Sequence, residues 1–171
     1  VLGPVYQCVQ LLSDGQCLEV LGTSLALHDV TAKEVDRRIA AAWRKFWAMK
    51  GLLINRSASV KKRLRLFDSC VGSCILWGTR SWTPRVDELR KLRTSQNMML
   101  RRIAGAGRGP EETWLDWIKR STHRSRRMAG EANIRDWVHT HAKYKWAWAG
   151  HVARRPSTTW LWQVSTWRDS Y

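Results

Sequence analysis

The sequence predicts a mainly α-helical fold, a bundle of about five helices preceded by a small β-hairpin. Apolar residues recur at helical spacing in five segments between residues 31 and 149, and glycine, proline or capping residues separate these segments. The strand-like signal is confined to residues 5–21. With 171 residues, the chain is long enough to bury a hydrophobic core.

The hairpin is predicted from two short runs of β-forming residues. Val5 to Leu12 forms the first run, and Cys17 to Leu21 forms the second. Ser13-Asp14-Gly15 between them has the composition of a hairpin turn. Gly22-Thr23-Ser24 is expected to break the structure after the second strand.

Helix one is predicted from about Thr31 to Lys50. Thr31 and Glu34 fit a capping box, in which each side chain accepts a hydrogen bond from an otherwise unpaired backbone amide. Gly51 is expected to end the helix. The buried stripe is predicted to consist of Val35, Ile39, Ala42, Phe46 and Met49.

Two further helices precede a glycine-rich segment. Helix two runs from about Ser57 or Ser59 to Trp77, with Gly78 as its stop. Thr83-Pro84 opens helix three, because proline at the first helical position loses no helical hydrogen bond. Residues 105–110 then break the chain. The predicted inward positions are Val60, Leu64, Phe67, Val71, Cys74, Leu89, Leu92, Gln96, Leu100 and Ile103.

Helices four and five complete the predicted bundle. Helix four covers about Glu111 to Met128, with an acidic first turn that suits the helix dipole. Asn133 is expected to cap helix five, which reaches about Ala149. The predicted inward positions are Trp114, Trp117, Ile118, Ser121, Ser125, Met128, Ile134, Trp137, Val138, His141 and Trp148.

These elements indicate four parts of the chain. A β-hairpin occupies residues 1–27, a helical bundle residues 28–109 and a second helical pair residues 110–156. Residues 157–171 form a Trp-rich tail without a clear period. The tail is expected to be irregular or to form a short helix that packs back.

The composition points to a polyanionic partner. The formal net charge is +16, from 30 Lys and Arg against 14 Asp and Glu, and such an imbalance repels itself on a compact domain. If the basic helix faces align, they neutralise phosphates and release counterions, which gives binding without sequence preference. Nucleic acid is therefore predicted ahead of an acidic membrane surface, or of charge that only aids solubility.

The predicted nucleic-acid contacts form two sets. The first set lies on the basic faces of helices one to three and comprises Lys33, Arg37, Arg44, Lys61, Lys62, Arg65, Arg90, Lys91, Arg101 and Arg102. The second set lies between Gly150 and Arg155 and comprises His151, Arg154 and Arg155. The alternative for His151 is a histidine that hydrogen-bonds the last carbonyl groups of helix five.

The sequence contains 12 tryptophans, and their positions predict two roles. Helical spacing predicts core positions for Trp43, Trp114, Trp117, Trp137 and Trp148. The less well placed rings can pack as well, or they can stack on bases and sugars; these are Trp47, Trp77 and Trp146.

The residues predict no catalytic centre and no metal site. The carboxylates are few and scattered, whereas two-metal nucleases and polymerases need several of them together. A zinc site would need Cys70, Cys74, His139 and His141 to meet, but the two histidines point to opposite helix faces.

The expected location is intracellular, and the nucleus in particular. No uncharged apolar run approaches the roughly 18–20 residues that cross a bilayer, so no membrane partner is expected. The four cysteines lack the paired spacing of a disulfide framework and indicate free thiols in a reducing compartment.

Several short motifs occur in a particular order along the chain. They are Val20-Leu21-Gly22-Thr23, E-x-x-x-R-I (Glu34 to Ile39), K-x-R-L-R-L-F (Lys61 to Phe67), Leu76-Trp77-Gly78, Ser81-Trp82-Thr83, Leu100-Arg101-Arg102-Ile103 and W-x-G-H-V-x-R (Trp148 to Arg154). This order covers about residues 16–156. It resembles the region that follows the polymerase palm in reverse transcriptases of non-LTR (LINE-type) retrotransposons.

The resemblance implies a helical thumb and connector that grip a template–primer, either RNA, an RNA–DNA duplex or DNA, beside a palm domain. The Mg²⁺-binding Tyr/Phe-Ala-Asp-Asp element of that family is absent here and is expected upstream of Val1. No residue of this chain is therefore assigned to the metal. Val20 stands where the family prefers an aromatic residue, and Trp77 where it prefers tyrosine.

Three other functions stay open from the sequence. The chain can be a free-standing DNA-binding module that reads a sequence with helix three. It can be a nuclease or polymerase that is active by itself. It can also be a non-functional retroelement relic.

Overall fold

The computed structural model describes residues 17–20, 22–26 and 30–166, and it confirms the predicted mainly α-helical fold. Strands β1 (Cys17–Val20) and β2 (Thr23–Ala26) form an antiparallel hairpin. The helices are α1 (Val30–Ala48), α2 (Lys50–Leu53), α3 (Val60–Phe67), α4 (Ser73–Ile75), α5 (Val86–Ala104), α6 (Trp114–Glu131), α7 (Trp137–Ala153) and α8 (Trp160–Thr166). A π-helical segment, Asp68–Gly72, joins α3 to α4.

The described hairpin joins two strands that the sequence did not predict to pair, Cys17–Val20 and Thr23–Ala26. Val20 pairs with Thr23, so the chain reverses between these two residues, and Thr23 and Ser24 continue as strand. The expectation that Gly22-Thr23-Ser24 breaks the structure was wrong. Gly22 has a φ of +74°, which glycine adopts without steric cost, and it forms part of the turn. The predicted strand Val5 to Leu12 and its turn lie outside the described residues.

The core lies where α1, the α3–α4 segment, α5 and α7 meet. Phe46, Phe67 and Trp137 are fully buried there. Phe46 meets Phe67 edge to face at 6.5 Å between ring centroids, and Phe67 stacks on Trp137 at 5.8 Å. The central helix is α5, which packs against α1, α3, α6 and α7. The apolar stripes predicted for helices one to three are buried or half-buried, which confirms them.

Three signals predicted to start or end helices in the first half of the chain do not do so, although α1 begins within one residue of its predicted start. Thr31 lies inside the first turn of α1, and Gly51 lies inside α2. Helix α5 begins two residues after Thr83-Pro84. The carboxylate of Glu88 accepts a hydrogen bond from the backbone N–H of Arg85 at 2.7 Å, and this pairing fixes the helix start there.

Asn133 ends one helix and does not begin the next. Its φ of 55° is left-handed, a conformation that asparagine tolerates better than most residues. The N–H of Ile134 donates to the carbonyl oxygen of Ala129 at 2.9 Å, which closes the end of α6. Helix α7 is capped instead by Asp136, whose carboxylate accepts a hydrogen bond from the N–H of His139 at 2.8 Å.

A buried amide on α5 positions the start of α7. The side chain of Gln96 donates to the carbonyl oxygen of Arg135 at 2.7 Å and accepts from the N–H of Trp137 at 3.1 Å. Arg135 also forms an ion pair with Asp68 of the π-helical segment, at 2.9 Å. Three segments that are distant in the sequence are therefore joined by polar contacts. The predicted division at residues 109 and 110 stays a prediction.

A buried arginine holds the C-terminal end of α5. Arg63 on α3 is 6% exposed. Its guanidinium donates to the carbonyl oxygens of Ile103 at 2.6 Å, Ala58 at 3.1 Å and Leu53 at 3.2 Å. Burial and the charge of Arg56 lower the pKa of Arg63. The cation is thus satisfied by backbone carbonyls, two of them at the negative ends of α2 and α5.

We expect Arg63→Met to lower the free energy of unfolding by about 2–4 kcal/mol, because buried carbonyl groups lose their donor. Arg65→Met is the matched control, since Arg65 is exposed on the same helix, and its effect should stay within about 0.5 kcal/mol. Urea unfolding followed by circular dichroism measures both. Equal losses in the two variants would contradict this role of Arg63.

Candidate nucleic-acid interface

The predicted basic contacts differ in how their charges are compensated. Arg90 pairs with Asp87 at 3.0 Å, and Lys91 pairs with Asp36 at 2.9 Å. Lys33, Arg101 and His151 are half-buried. Some of the predicted contact residues are exposed and form no ion pair with another described residue. These are Arg44, Lys61, Lys62, Arg65, Arg102, Arg154 and Arg155. These uncompensated cations are the better candidates for phosphate contacts.

Arg37 holds the hairpin against α1. Its guanidinium donates to Glu34 at 3.0 Å, to Glu19 at 2.7 Å and to the carbonyl oxygen of Gly22. Arg38 also reaches Glu34, at 2.6 Å, and the same carbonyl oxygen. Hydrogen bonding and the charge of Glu34 raise the pKa of Arg37 against the effect of burial. The structure thus places this predicted contact residue in an internal ion-pair network.

A basic and aromatic surface surrounds the C-terminal end of α5. We name it the α5 C-terminal cluster, and it comprises Trp43, Trp47, Lys50, Arg56, Arg101, Arg102 and Trp114. The guanidinium carbon of Arg102 lies 5.1 Å from the ring centroid of Trp43 and 5.6 Å from that of Trp47. The two rings stack at 6.0 Å, and Lys50 Nζ lies 5.9 Å from the Trp47 centroid. Cation–π contacts therefore order this surface.

A groove of about 540 Å³ lies beside Arg102 and is lined in part by residues of the cluster. Among the described residues its lining contains no carboxylate and consists of Arg56, Met98, Arg101, Arg102, Gly105, Ala106, Gly107, Trp114, Trp117 and Ile118. Arg101 donates to the hydroxyl of Thr122 at 2.9 Å. Burial and the charge of Arg102 lower the pKa of Arg101, which reflects the crowding of positive charge. Sequence analysis missed Arg56, because it lies between helices.

Side chains of helix α6 form hydrogen bonds to the glycine-rich wall of this groove, residues 105–107. Trp117 Nε1 donates to the carbonyl oxygen of Ala106 at 3.0 Å. Arg120 donates to the carbonyl oxygen of Gly107 at 2.9 Å and to the carboxylate of Glu112 at 2.6 Å. The hydrogen bond from Arg120 lowers the pKa of Glu112 to about 2. The carboxylate of Glu112, which also accepts a hydrogen bond from the N–H of Gly109, is therefore already paired with an arginine.

The burial of several tryptophans differs from the prediction. Trp137 is buried as expected, and Trp43, Trp117 and Trp148 are half-buried. Trp114 was wrongly predicted to be in the core. It is 62% exposed, because the first residue of α6 lies beyond the packed part of that helix. Trp82 is buried, and its position outside a helix gave no periodic signal. The predicted stacking candidates Trp47, Trp77 and Trp146 are all exposed.

The W-x-G-H-V-x-R residues form a second basic and aromatic surface. Trp148 and His151 stack at 5.5 Å, with Arg80 on Trp148 at 5.5 Å. Arg155 donates to His151 Nε2 at 3.2 Å, so the ring accepts from an arginine and is not directed at the last carbonyl groups of α7. A Cβ on Gly150 would lie 3.1 Å from a guanidinium nitrogen of Arg154. The motif residues therefore contact one another.

Helix α7 holds the segment that precedes α5. His141 is buried, and its ring lies 4.5 Å from that of Trp82. His141 Nε2 is 3.2 Å from the carbonyl oxygen of Trp82, so Nε2 carries the proton of the neutral ring. Lys145 donates to the carbonyl oxygens of Arg80 and Trp82 at 3.0 and 3.2 Å. These contacts place Arg80 beside Trp148.

Motifs that are far apart in the sequence converge at the hairpin. Gly22 is adjacent to Trp77, because a Cβ on Gly22 would lie 3.2 Å from the indole nitrogen. A Cβ on Gly78 would lie 3.1 Å from the hydroxyl of Thr23 and 3.5 Å from Arg38. Gly78 also has a φ of +66°, so only glycine fits both the space and the backbone there.

The described residues show no cluster suited to a metal ion and no membrane span. No three His, Cys, Asp or Glu side chains come together within residues 17–20, 22–26 and 30–166 in a way that could hold a metal. His141 is buried against Trp82, whereas His139 is exposed. In the same part of the chain, no helix has the length and apolar character needed to cross a bilayer.

Comparison with known proteins relates the chain to mobile elements. It is similar to an uncharacterized protein of Caenorhabditis elegans that is named as transposon-derived, with 30% identity over 151 residues. The similarity supports an origin in a transposon. The matched segment is 86% of this chain and 50% of that protein, so the chain spans half the length of the relative. No family model matches the chain, and no solved structure matches it.

We expect the stability of the protein to fall in mild acid because of His141. Burial lowers the pKa of His141 below the ordinary histidine value of about 6.5, and the charge of Lys145 lowers it further against the hydrogen bond to Trp82. The unfolded chain therefore binds more protons than the folded chain below about pH 6.5, and the free energy of unfolding decreases from there towards the folded-state pKa.

The His141→Gln variant should lose this pH dependence, since glutamine can donate to the Trp82 carbonyl but does not titrate. Melting temperatures measured between about pH 8 and pH 5 test the expectation. The control is His123→Gln, which alters an exposed histidine on α6 and should melt like the wild type at each pH. A pH dependence that persists in His141→Gln would assign it to another group.

Proposed function

We propose that this chain is a non-catalytic nucleic-acid-binding region, which grips RNA, an RNA–DNA duplex or DNA through its basic surfaces. The observation that carries the proposal is the α5 C-terminal cluster. Its groove is lined by three arginines and two tryptophans, and no carboxylate lines it within the part of the chain that the structure describes. The net charge of +16 adds a long-range attraction for polyanions.

The grip is electrostatic and does not read bases. Arginine and lysine contacts to phosphates position a protein on a nucleic acid without carrying sequence information. Arg102 is exposed and rests on two indole rings, so its guanidinium is already ordered before binding. Ordering before binding lowers the entropy that must be lost on association.

We propose that further exposed cations, outside the α5 C-terminal cluster, also contact the nucleic acid. The exposed and uncompensated candidates elsewhere are Arg44, Lys61, Lys62, Arg65, Arg154 and Arg155. The surface around Trp148 and His151 is proposed as a second contact, to which Arg80 adds a cation. Arg37, Arg90 and Lys91 already bind carboxylates. We therefore expect them to contribute less than the sequence alone suggests.

The salt dependence of the binding affinity tests these electrostatic contacts. We expect the logarithm of the affinity for an RNA–DNA duplex to fall steeply with the logarithm of salt concentration. In the Arg56→Gln/Arg102→Gln variant, the slope should become shallower by about 2, since about 0.9 counterion is released per neutralised phosphate of a duplex. Filter binding between about 50 and 200 mM salt measures the slope.

The matched control is Arg90→Gln/Lys91→Gln. These two residues are also exposed, but each is paired with a carboxylate. The control should change the slope less than the cluster variant does. An affinity of the wild type that does not respond to ionic strength would rule out the electrostatic grip.

The finer proposal is that the region is the thumb and connector of a non-LTR retrotransposon reverse transcriptase. Two observations support it: the similarity to a transposon-derived protein, and the mutual contacts of the motifs that resemble that family. A palm domain would then be the protein partner, and it would supply the carboxylates that bind Mg²⁺. The described residues of this chain do not fit that ion. A nuclear location belongs to the same proposal.

Sequencing the transcript upstream of the Val1 codon tests the finer proposal. We expect an in-frame Ala-Asp-Asp element there, since the resemblance begins after the palm. The isolated 171 residues should incorporate no nucleotide in the presence of Mg²⁺ or Mn²⁺. An upstream reading frame of a different family would refute the reverse transcriptase origin but would leave nucleic-acid binding open.

A retroelement relic is the second candidate, and the similarity to a transposon-derived protein favours it equally. A relic that has lost its packing would unfold without a cooperative transition. The protein described here has a contiguous buried core and satisfied helix ends. The same urea titration that compares the Arg63 variants distinguishes the two, because a sharp transition is expected only of the folded region.

A further inference from the structure

We propose that the α5 C-terminal cluster binds an unpaired stretch of nucleic acid, with bases stacked on Trp47 and Trp114. The proposal rests on the proposed function, nucleic-acid binding, and deepens it by naming the class of ligand that this surface takes. Trp47 and Trp114 are 47% and 62% exposed, although indole rings are among the side chains most costly to leave in water.

Trp47 is held as a fixed platform. Its ring stacks on Trp43 at 6.0 Å and meets Phe46 edge to face at 5.4 Å. Arg102 and Lys50 lie within 6 Å of the same ring. Trp47 is ordered from several sides and is still exposed. A base that replaces the exposed Lys50 side chain over the ring can therefore stack on it without a large loss of tryptophan side-chain entropy.

Trp114 is the other exposed indole ring of the cluster. It lines the groove together with Arg102, and Arg102 also contacts Trp47, so this arginine belongs to the surroundings of both rings. Arg56 and Arg101 line the same groove. Cations between two exposed aromatic rings are the arrangement that binds a phosphate backbone whose successive bases stack on the rings.

The chemistry favours unpaired over paired nucleic acid. Within a duplex, neighbouring base pairs cover the faces of the bases, so an indole ring has no face to stack on. An unpaired strand offers every base face, and stacking does not depend on sequence. A protein partner would need a strongly acidic surface to match the arginines, and it would not need two aromatic platforms with cations between them.

The test compares single-stranded and duplex ligands by fluorescence anisotropy. The Trp47→Leu/Trp114→Leu variant should lose roughly 30-fold or more in affinity for oligo(dT), which is the lower end of the range for removing two stacked bases. Its affinity for a blunt-ended duplex of equal length should fall much less, because Arg102 still rests on Trp43 and no base is stacked in the duplex complex. Trp114→Phe should keep most of the affinity for oligo(dT), since phenylalanine still stacks.

Trp160→Leu is the matched control, because Trp160 is exposed on α8 and is not part of the cluster. Circular dichroism melting checks that each variant folds, and Trp114→Leu alone carries the test if Trp47→Leu does not fold. Unchanged oligo(dT) binding in the folded cluster variant, or an equal loss for the duplex, would overturn this inference while nucleic-acid binding stands. A wild type that binds neither ligand would overturn both.

Discussion

The buried guanidinium of Arg63 is the interaction on which the arrangement of this protein depends. It places a charge in the interior without a carboxylate partner among the described residues, and three carbonyl oxygens accept its hydrogen bonds. Two of these belong to the C-terminal ends of α2 and α5, where the helix dipoles favour a cation. A buried charge is tolerated only when such hydrogen bonds compensate for lost hydration. The position of the last turn of α5 therefore follows from the position of α3.

The proposed interface is a consequence of this constraint. Arg101 and Arg102 lie in the turn that Arg63 holds, and Arg56 lies close enough to lower the pKa of Arg63. Three further cations thus gather around one helix end. Their mutual repulsion costs stability, and the cation–π contacts of Arg102 offset part of that cost. A surface that concentrates positive charge against this cost is well suited to a polyanion.

Several features could be predicted because they depend on local spacing. The apolar stripes of helices one to three need only the helical repeat, and Phe46, Phe67 and Leu100 are buried as that repeat predicts. Helix ends were less predictable, because capping groups compete. Glu88 pairs with the amide of Arg85 and displaces the start that Thr83-Pro84 indicates. Asn133 adopts a left-handed conformation and closes α6 instead of capping α7.

In the candidate site, too, some features depend on residues close in the sequence and others on residues far apart. Charge composition predicts a polyanionic partner, but Arg37 and Arg102 look alike in sequence. The charge of Arg37 is compensated by Glu19 and Glu34, whereas the guanidinium of Arg102 lies on two tryptophan rings. The sequence by itself determined the helical fold, the buried stripes and the surplus of positive charge, since each depends on neighbours within a few residues or on composition. Only the tertiary structure decided which cations are free and which indole rings face water, because distant partners set both.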